Sequence, residues 1–139
     1  MAFIHQKITI VHIRKPARIN LNEELQWLGN SLGLFSERDK DKSCFRIFLE
    51  LLKAGKINRF LSSDDLAENL GLSRGTVIHH LHKLMDAGIV VGRGNKYILR
   101  QENLEALVDE LRKDVWRMCE DMLKTAKEID DALQIQKKE

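Results

Sequence analysis

Side chains that donate hydrogen bonds or carry positive charge recur at short intervals in one part of the chain: Ser73, Arg74, Thr76, His79, His80 and Lys83, then Arg93 and Lys96. Arginine offers a planar fork of donors, lysine a compact charge, and the hydroxyls and imidazoles donate or accept. That set suits hydrogen bonding to base edges and neutralisation of phosphates. Gly75, between Arg74 and Thr76, leaves room for another backbone to approach closely. Counting Arg100, residues 73–100 hold five basic groups against Asp86 alone, a surplus of +4. Residues 101–139 hold seven basic and eleven acidic groups, or −4, and residues 1–72 hold eleven and nine, or +2. The overall charge of +2 therefore conceals one concentrated basic patch, the footprint expected of a phosphate-binding surface.

Other chemistry finds little support. There is no phosphate-binding glycine loop, no metal-spaced ligand set and no nucleophile with an identifiable base, so no enzyme and no cofactor are expected. His79, His80 and His82 do not all share one helix face, which argues against a metal site. Cys44 and Cys119 are too few and too far apart for a disulfide framework, and Cys44 reads as a small core residue. Glu23, Glu24, Asp64 and Asp65 fall where helix N-termini favour acids. No secretory signal and no apolar run long enough for a membrane span are visible, so a cytoplasmic location is expected.

The elements that must position these residues are mostly helical. With 43% hydrophobic and only 6% aromatic residues in 139, aliphatic side chains on helices carry the packing. Residues 7–13 (KITIVHI) read as a short strand. A helix follows with Asn22 as N-cap and Leu25, Trp27, Leu28, Leu32 and Phe35 at helical spacing. A second places Phe45, Phe48, Leu49 and Leu52 on one face and ends near Gly55. Ser62 or Ser63 caps a short helix with Leu66, Ala67 and Leu70 inward, and Gly71 supplies the left-handed turn. Ser73 then caps a helix over about 73–87, with Val77, Leu81 and Leu84 inward and Arg74, Thr76, His80 and Lys83 outward. Two β-prone runs around Gly92–Asn95 form a hairpin that carries Arg93 and Lys96. Capped helix, glycine turn, capped helix and basic hairpin make a helix-turn-helix with a wing.

From Leu104 to about Ile135 runs one amphipathic helix without proline or glycine. Leu104, Val108, Leu111, Val115, Met118, Met122 and Ile129 follow a heptad seam of the kind that joins two chains, while Leu107, Trp116, Leu123 and Leu133 lie outside it. The fold class expected is mainly α with a small β-hairpin: a winged helix-turn-helix domain plus a long C-terminal dimerisation helix. The divisions expected are 1–35 (strand and helix extension), 36–100 (winged helix-turn-helix) and 101–139 (dimerisation helix).

Residues 63–91, SDDLAENLGLSRGTVIHHLHKLMDAGIVV, resemble the winged helix-turn-helix of ArsR-type prokaryotic transcription regulators. The likeness rests on Gly71-Leu72-Ser73, Thr76-Val77, His79-His80-Leu81, Leu84 and Ala87-Gly88-Ile89. Metal-sensing members of that family place paired cysteines in the first helix of the motif. Here that helix reads Leu66-Ala67-Glu68-Asn69-Leu70, so their metal site is not carried over. The Asp-Pro-Thr-Arg-like entry to the preceding helix is replaced by Asp39-Lys40-Asp41-Lys42. The resemblance implies a double-stranded DNA partner, with the 73–87 helix in the major groove and the 89–100 wing on the adjacent backbone or minor groove. A sequence-specific regulator acting as a homodimer follows as the expectation, its effector unknown. The alternative is a winged-helix module that binds protein.

Overall fold

The computed structural model describes residues 4–17 and 20–134. The chain divides into two units, one reaching Leu107 and the other starting at Val108. In the first, α1 (Leu21–Ser31), α2 (Ser43–Gly55), β1 (Leu61–Ser62), α3 (Ser63–Leu70), α4 (Arg74–Asp86), β2 (Val90–Arg93) and β3 (Lys96–Leu99) follow one another before α5 (Leu104–Ala132) begins. The fold is mainly helical, with one small antiparallel sheet in the order β1-β3-β2. β2 and β3 form the expected hairpin, with Arg93 opposite Lys96 and Gly94 (φ 59) turning the corner. β1 is an addition: Leu61 pairs with Tyr97 and Ser62 with Lys96, so the loop before α3 supplies a third strand. Element order and sheet together make a winged helix-turn-helix.

Local chemistry sets each helix start. Asn20, not Asn22, caps α1, its Oδ1 accepting the Glu23 N–H at 2.8 Å. Ser62 caps α3 in a reciprocal capping box with Asp65, both bonds being 3.0 Å. Gly71 then takes the left-handed conformation (φ 65) that turns the chain from α3 into α4. Before α2, Lys42 is left-handed and offers no cap; the Asp39 carboxylate accepts the N–H of Ser43 and of Cys44, each at 2.9 Å.

The core lies where α2, α3, α4 and the sheet meet. α2 buries Cys44, Phe45, Ile47, Phe48, Leu51 and Ala54, a stripe rotated from the expected Phe45, Phe48, Leu49 and Leu52, since Leu49 and Leu52 are only half-buried. The two stripes share Phe45 and Phe48, and the five phenylalanine and leucine residues among positions 45–52 suit either face. Packing against both α3 and α4 selects the one centred on Ile47. Leu66, Val77, Leu81 and Leu84 are fully buried from the other side. Gly29 lets α1 lie against the Phe45 ring, for a Cβ there would stand 2.7 Å from it.

The expected strand at 7–13 does not form; the segment has no regular secondary structure and joins no sheet. Its donors bond to the last carbonyls of helices instead, Lys7 N–H to Asp86 O and Val11 N–H to Ser31 O, both at 2.8 Å. Those carbonyls have no partner within their own helices, so they outcompete a strand that lacks a neighbour.

α5 is a single helix, as the absence of proline and glycine implied, and it ends at Ala132. The expected end at Ile135 lies outside the described residues. Along the heptad seam Leu111 is buried, Leu104, Val115 and Met118 are half-buried, and Val108, Met122 and Ile129 are exposed. Every described side chain from Asp121 to Gln134 is exposed. Asp109 pairs with Arg112 and Lys113 at helical spacing, which holds its carboxyl below the ordinary range. Among the described residues no helix is long and apolar enough to cross a membrane.

Candidate nucleic-acid interface

α4 is held at both ends and along one face. Ser73 Oγ accepts the Thr76 N–H at 3.1 Å and donates to Thr76 Oγ1 at 2.8 Å. A hydroxyl has one proton, so Ser73 uses its own within the cap and leaves the Thr76 hydroxyl proton free to donate outward. Val77, His80, Leu81 and Leu84 form the inner stripe, as i, i+3, i+4, i+7 spacing requires. The outer stripe is Arg74, Gly75, His79, His82, Lys83 and Asp86, all exposed.

This arrangement corrects one expected site residue. His80 does not point outward with His79: it is only 8% exposed, because it falls on the same face as Val77 and Leu84. Its Nε2 lies 3.8 Å from Asp39 Oδ2, and its Nδ1 has no hydrogen-bond partner among the described residues. Burial pushes the His80 pKa below its ordinary value, and His79 and Lys83 add to the effect, although Asp39 opposes it. The group is therefore held neutral inside, facing the carboxylate that caps α2. His82, weighed above only as a metal ligand and absent from the expected contacts, lies on the outer face three residues from His79; helical spacing was the signal that could have placed it there.

The remaining expected contacts are accessible. Arg74 is exposed, with Nε 3.7 Å from Asp64 Oδ1 across the helix-turn-helix; a surface pair at that distance is weak and easily exchanged for another anion. Lys83 Nζ reaches Gly33 O at 3.3 Å. Arg93 and Lys96 stand exposed on either side of the hairpin turn. Gly75 has an ordinary negative φ and nothing within 4 Å of a Cβ built on it, so the chain's own packing does not call for glycine there.

Among the described residues no group of three His, Cys, Asp or Glu side chains converges as a metal ion would need. Cys44 is buried, and burial raises its thiol pKa to about 11, which makes it a poor nucleophile and ligand. Cys119 is free and exposed.

Comparison with known proteins bears on the same segment. Residues 50–91 match the family model described as bacterial regulatory protein, arsR family. Comparisons with curated proteins and with solved structures returned no match. The matched residues run from the second half of α2 through α3, the Gly71 turn and α4 into β2, the part of the fold whose outer face carries the cationic stripe. Residues 50–91 of this winged helix-turn-helix are thus similar to the corresponding segment of arsR-family regulatory proteins, a likeness that supports a DNA-binding transcription regulator.

Proposed function

We propose that the chain regulates transcription as a homodimer that reads a specific duplex sequence. In this reading the outer face of α4 enters the major groove, with Arg74, Thr76 and His79 toward base edges, Lys83 at the phosphates, and Ser73 capping the helix that presents them. Gly75 lets the helix approach closely, and Arg93 and Lys96 on the wing take the neighbouring backbone or minor groove. His80 is not among the contacts. The observation that carries the proposal is the cationic outer stripe of the helix after the Gly71 turn, exposed beside a hairpin that carries two more cations. Residues 36–100 are the DNA-binding part, 1–35 an extension, and 101–139 the dimerisation part.

The partner-facing surface would be Val108, Met122 and Ile129 with the half-buried Leu104, Val115 and Met118 of the same seam, and Leu123 and Leu133 alongside. Leu111, expected in that set, is buried and leaves it. Large apolar side chains exposed in succession along one helix are the usual mark of an interaction surface. Ile129→Glu would place a charge in such a seam. Sedimentation should then show monomer where the parent chain sediments as dimer; equal sedimentation of the two would remove this stripe from the interface.

DNA recognition is tested by fluorescence anisotropy on a duplex from the gene's own upstream region, across salt concentrations and with competitor DNA. Arg74→Ala should lose about 1–3 kcal/mol of discrimination between this duplex and competitor. Binding by the parent chain should weaken steeply with salt as counterions return to the phosphates. No binding to any duplex at low salt would favour the protein-binding alternative.

A further inference from the structure

The N-terminal segment lies on the recognition helix by a built contact. Beyond the Lys7 and Val11 backbone bonds, Gln6 Nε2 donates to Ala87 O at 3.1 Å. Two left-handed glycines make room: a Cβ on Gly33 (φ 72) would stand 2.6 Å from Thr9 Cγ2, and one on Gly88 (φ 82) 2.3 Å from Gln6 Nε2. Between the segment and the outer face of α4 the structure leaves a hollow of about 360 Å³. Lys7 lines one side, the Leu32–Leu34 turn another, and His79, His82 and Lys83 a third; Asp86 is its one acidic group. Residues 4–17 contain no acid, and of their basic residues Lys7 lines the hollow.

We infer that this hollow binds a phosphate group. Two lysines and two imidazoles line it, Lys7 from the N-terminal segment and the other three from α4, a set of donors that serves a tetrahedral anion with acceptors in several directions better than a planar carboxylate. Its volume lies at the lower end for ligand sites, enough for a pyrophosphate or a small phosphorylated compound. The phosphate comes either from the backbone of the duplex, in which case the inference rests on the DNA reading above, or from a free compound, in which case it does not. A free compound would compete with DNA for His79 and Lys83, so each would weaken the other's binding by the same factor.

The test is an amide and imidazole NMR titration of the full chain, with inorganic pyrophosphate in one arm and a short upstream duplex in the other. Saturable shifts localised at Lys7, Gly33 and His82 are expected in at least one arm. Lys7→Ala and His82→Ala, both at exposed positions, should each weaken the responding ligand about fivefold, the worth of one partly exposed charge-assisted contact. Saturation by pyrophosphate alone identifies a free ligand; response to duplex alone identifies a backbone phosphate. Absence of localised shifts in both arms, or shifts that neither substitution alters, overturns the inference. Duplex binding that depends on Arg74 but not on Lys7 or His82 would leave the DNA reading standing and remove this one.

Discussion

Leu81→Ala is expected to lower the unfolding free energy by about 2–5 kcal/mol, read as a fall in the urea midpoint at nearly unchanged slope. Leu81 is 0% exposed and sits on the inner stripe of α4 between Val77 and Leu84, both also fully buried. The loss combines the transfer free energy of the missing atoms with a cavity that α2, α3 and the sheet cannot close. A domain of this size commonly has only about 5–15 kcal/mol in total, so the change takes a large share. The consequence for DNA is specific. Weakened binding should track the unfolded fraction, and duplex should raise the variant's midpoint by mass action. Arg74→Ala, on the other face of the same helix, should do the reverse, losing recognition with little change in midpoint. A midpoint for Leu81→Ala within about 0.5 kcal/mol of the parent chain would contradict the inner placement of this stripe.

Asp39→Ala should be the next most damaging change, costing about 1–3 kcal/mol at neutral pH. The carboxylate serves two places at once: it accepts the first N–H groups of α2 from Ser43 and Cys44, and it faces buried His80 on α4. Without it two N–H groups of buried residues lose their acceptor. Burial raises the Asp39 pKa, but the Cys44 and Ser43 N–H groups and His80 outweigh burial and hold it below its ordinary value. The pH profile separates the two partners. His80 has a depressed folded pKa, so as pH falls below about 6.5 the unfolded chain takes up the proton first and stability drops. Asp39 is also depressed, so its contribution is present above about pH 4 and is lost as pH falls through its folded pKa. Asp39→Ala should abolish the lower of these two losses and deepen the upper one, because Asp39 is the group that raises the His80 pKa. Urea midpoints from about pH 7.5 down to about pH 3 check both. A parent chain equally stable at the upper two points, about pH 7.5 and pH 5, would show that His80 is not held neutral.

Helix order, the Gly71 turn and the hairpin were legible because each depends on neighbours in sequence. Ser73 and Ser62 cap because a hydroxyl reaches an amide three residues on, and Gly71 turns because only glycine enters the left-handed region without strain. The Val77–Leu81–Leu84 stripe was visible for the same reason: a helix repeats its faces over a few residues, whatever it packs against. α5 likewise showed its length through unbroken periodicity.

What escaped depends on contacts between distant residues. β1 has two residues and exists only because β3 lies beside it, so no local pattern marks it. Residues 7–13 have the composition of a strand, yet the acceptors offered to them were helix carbonyls at Ser31 and Asp86. His80 had the residue type of a groove contact, and its burial follows from which side of α4 meets α2. Lys7 carried no signal at all; it joins His82 and Lys83 only because Gly33 and Gly88 let the segment lie down on α4. Short-range backbone preferences are written residue by residue in the chain. Partner choice among surfaces far apart in sequence is settled only when the whole fold competes for the same donors and the same buried space.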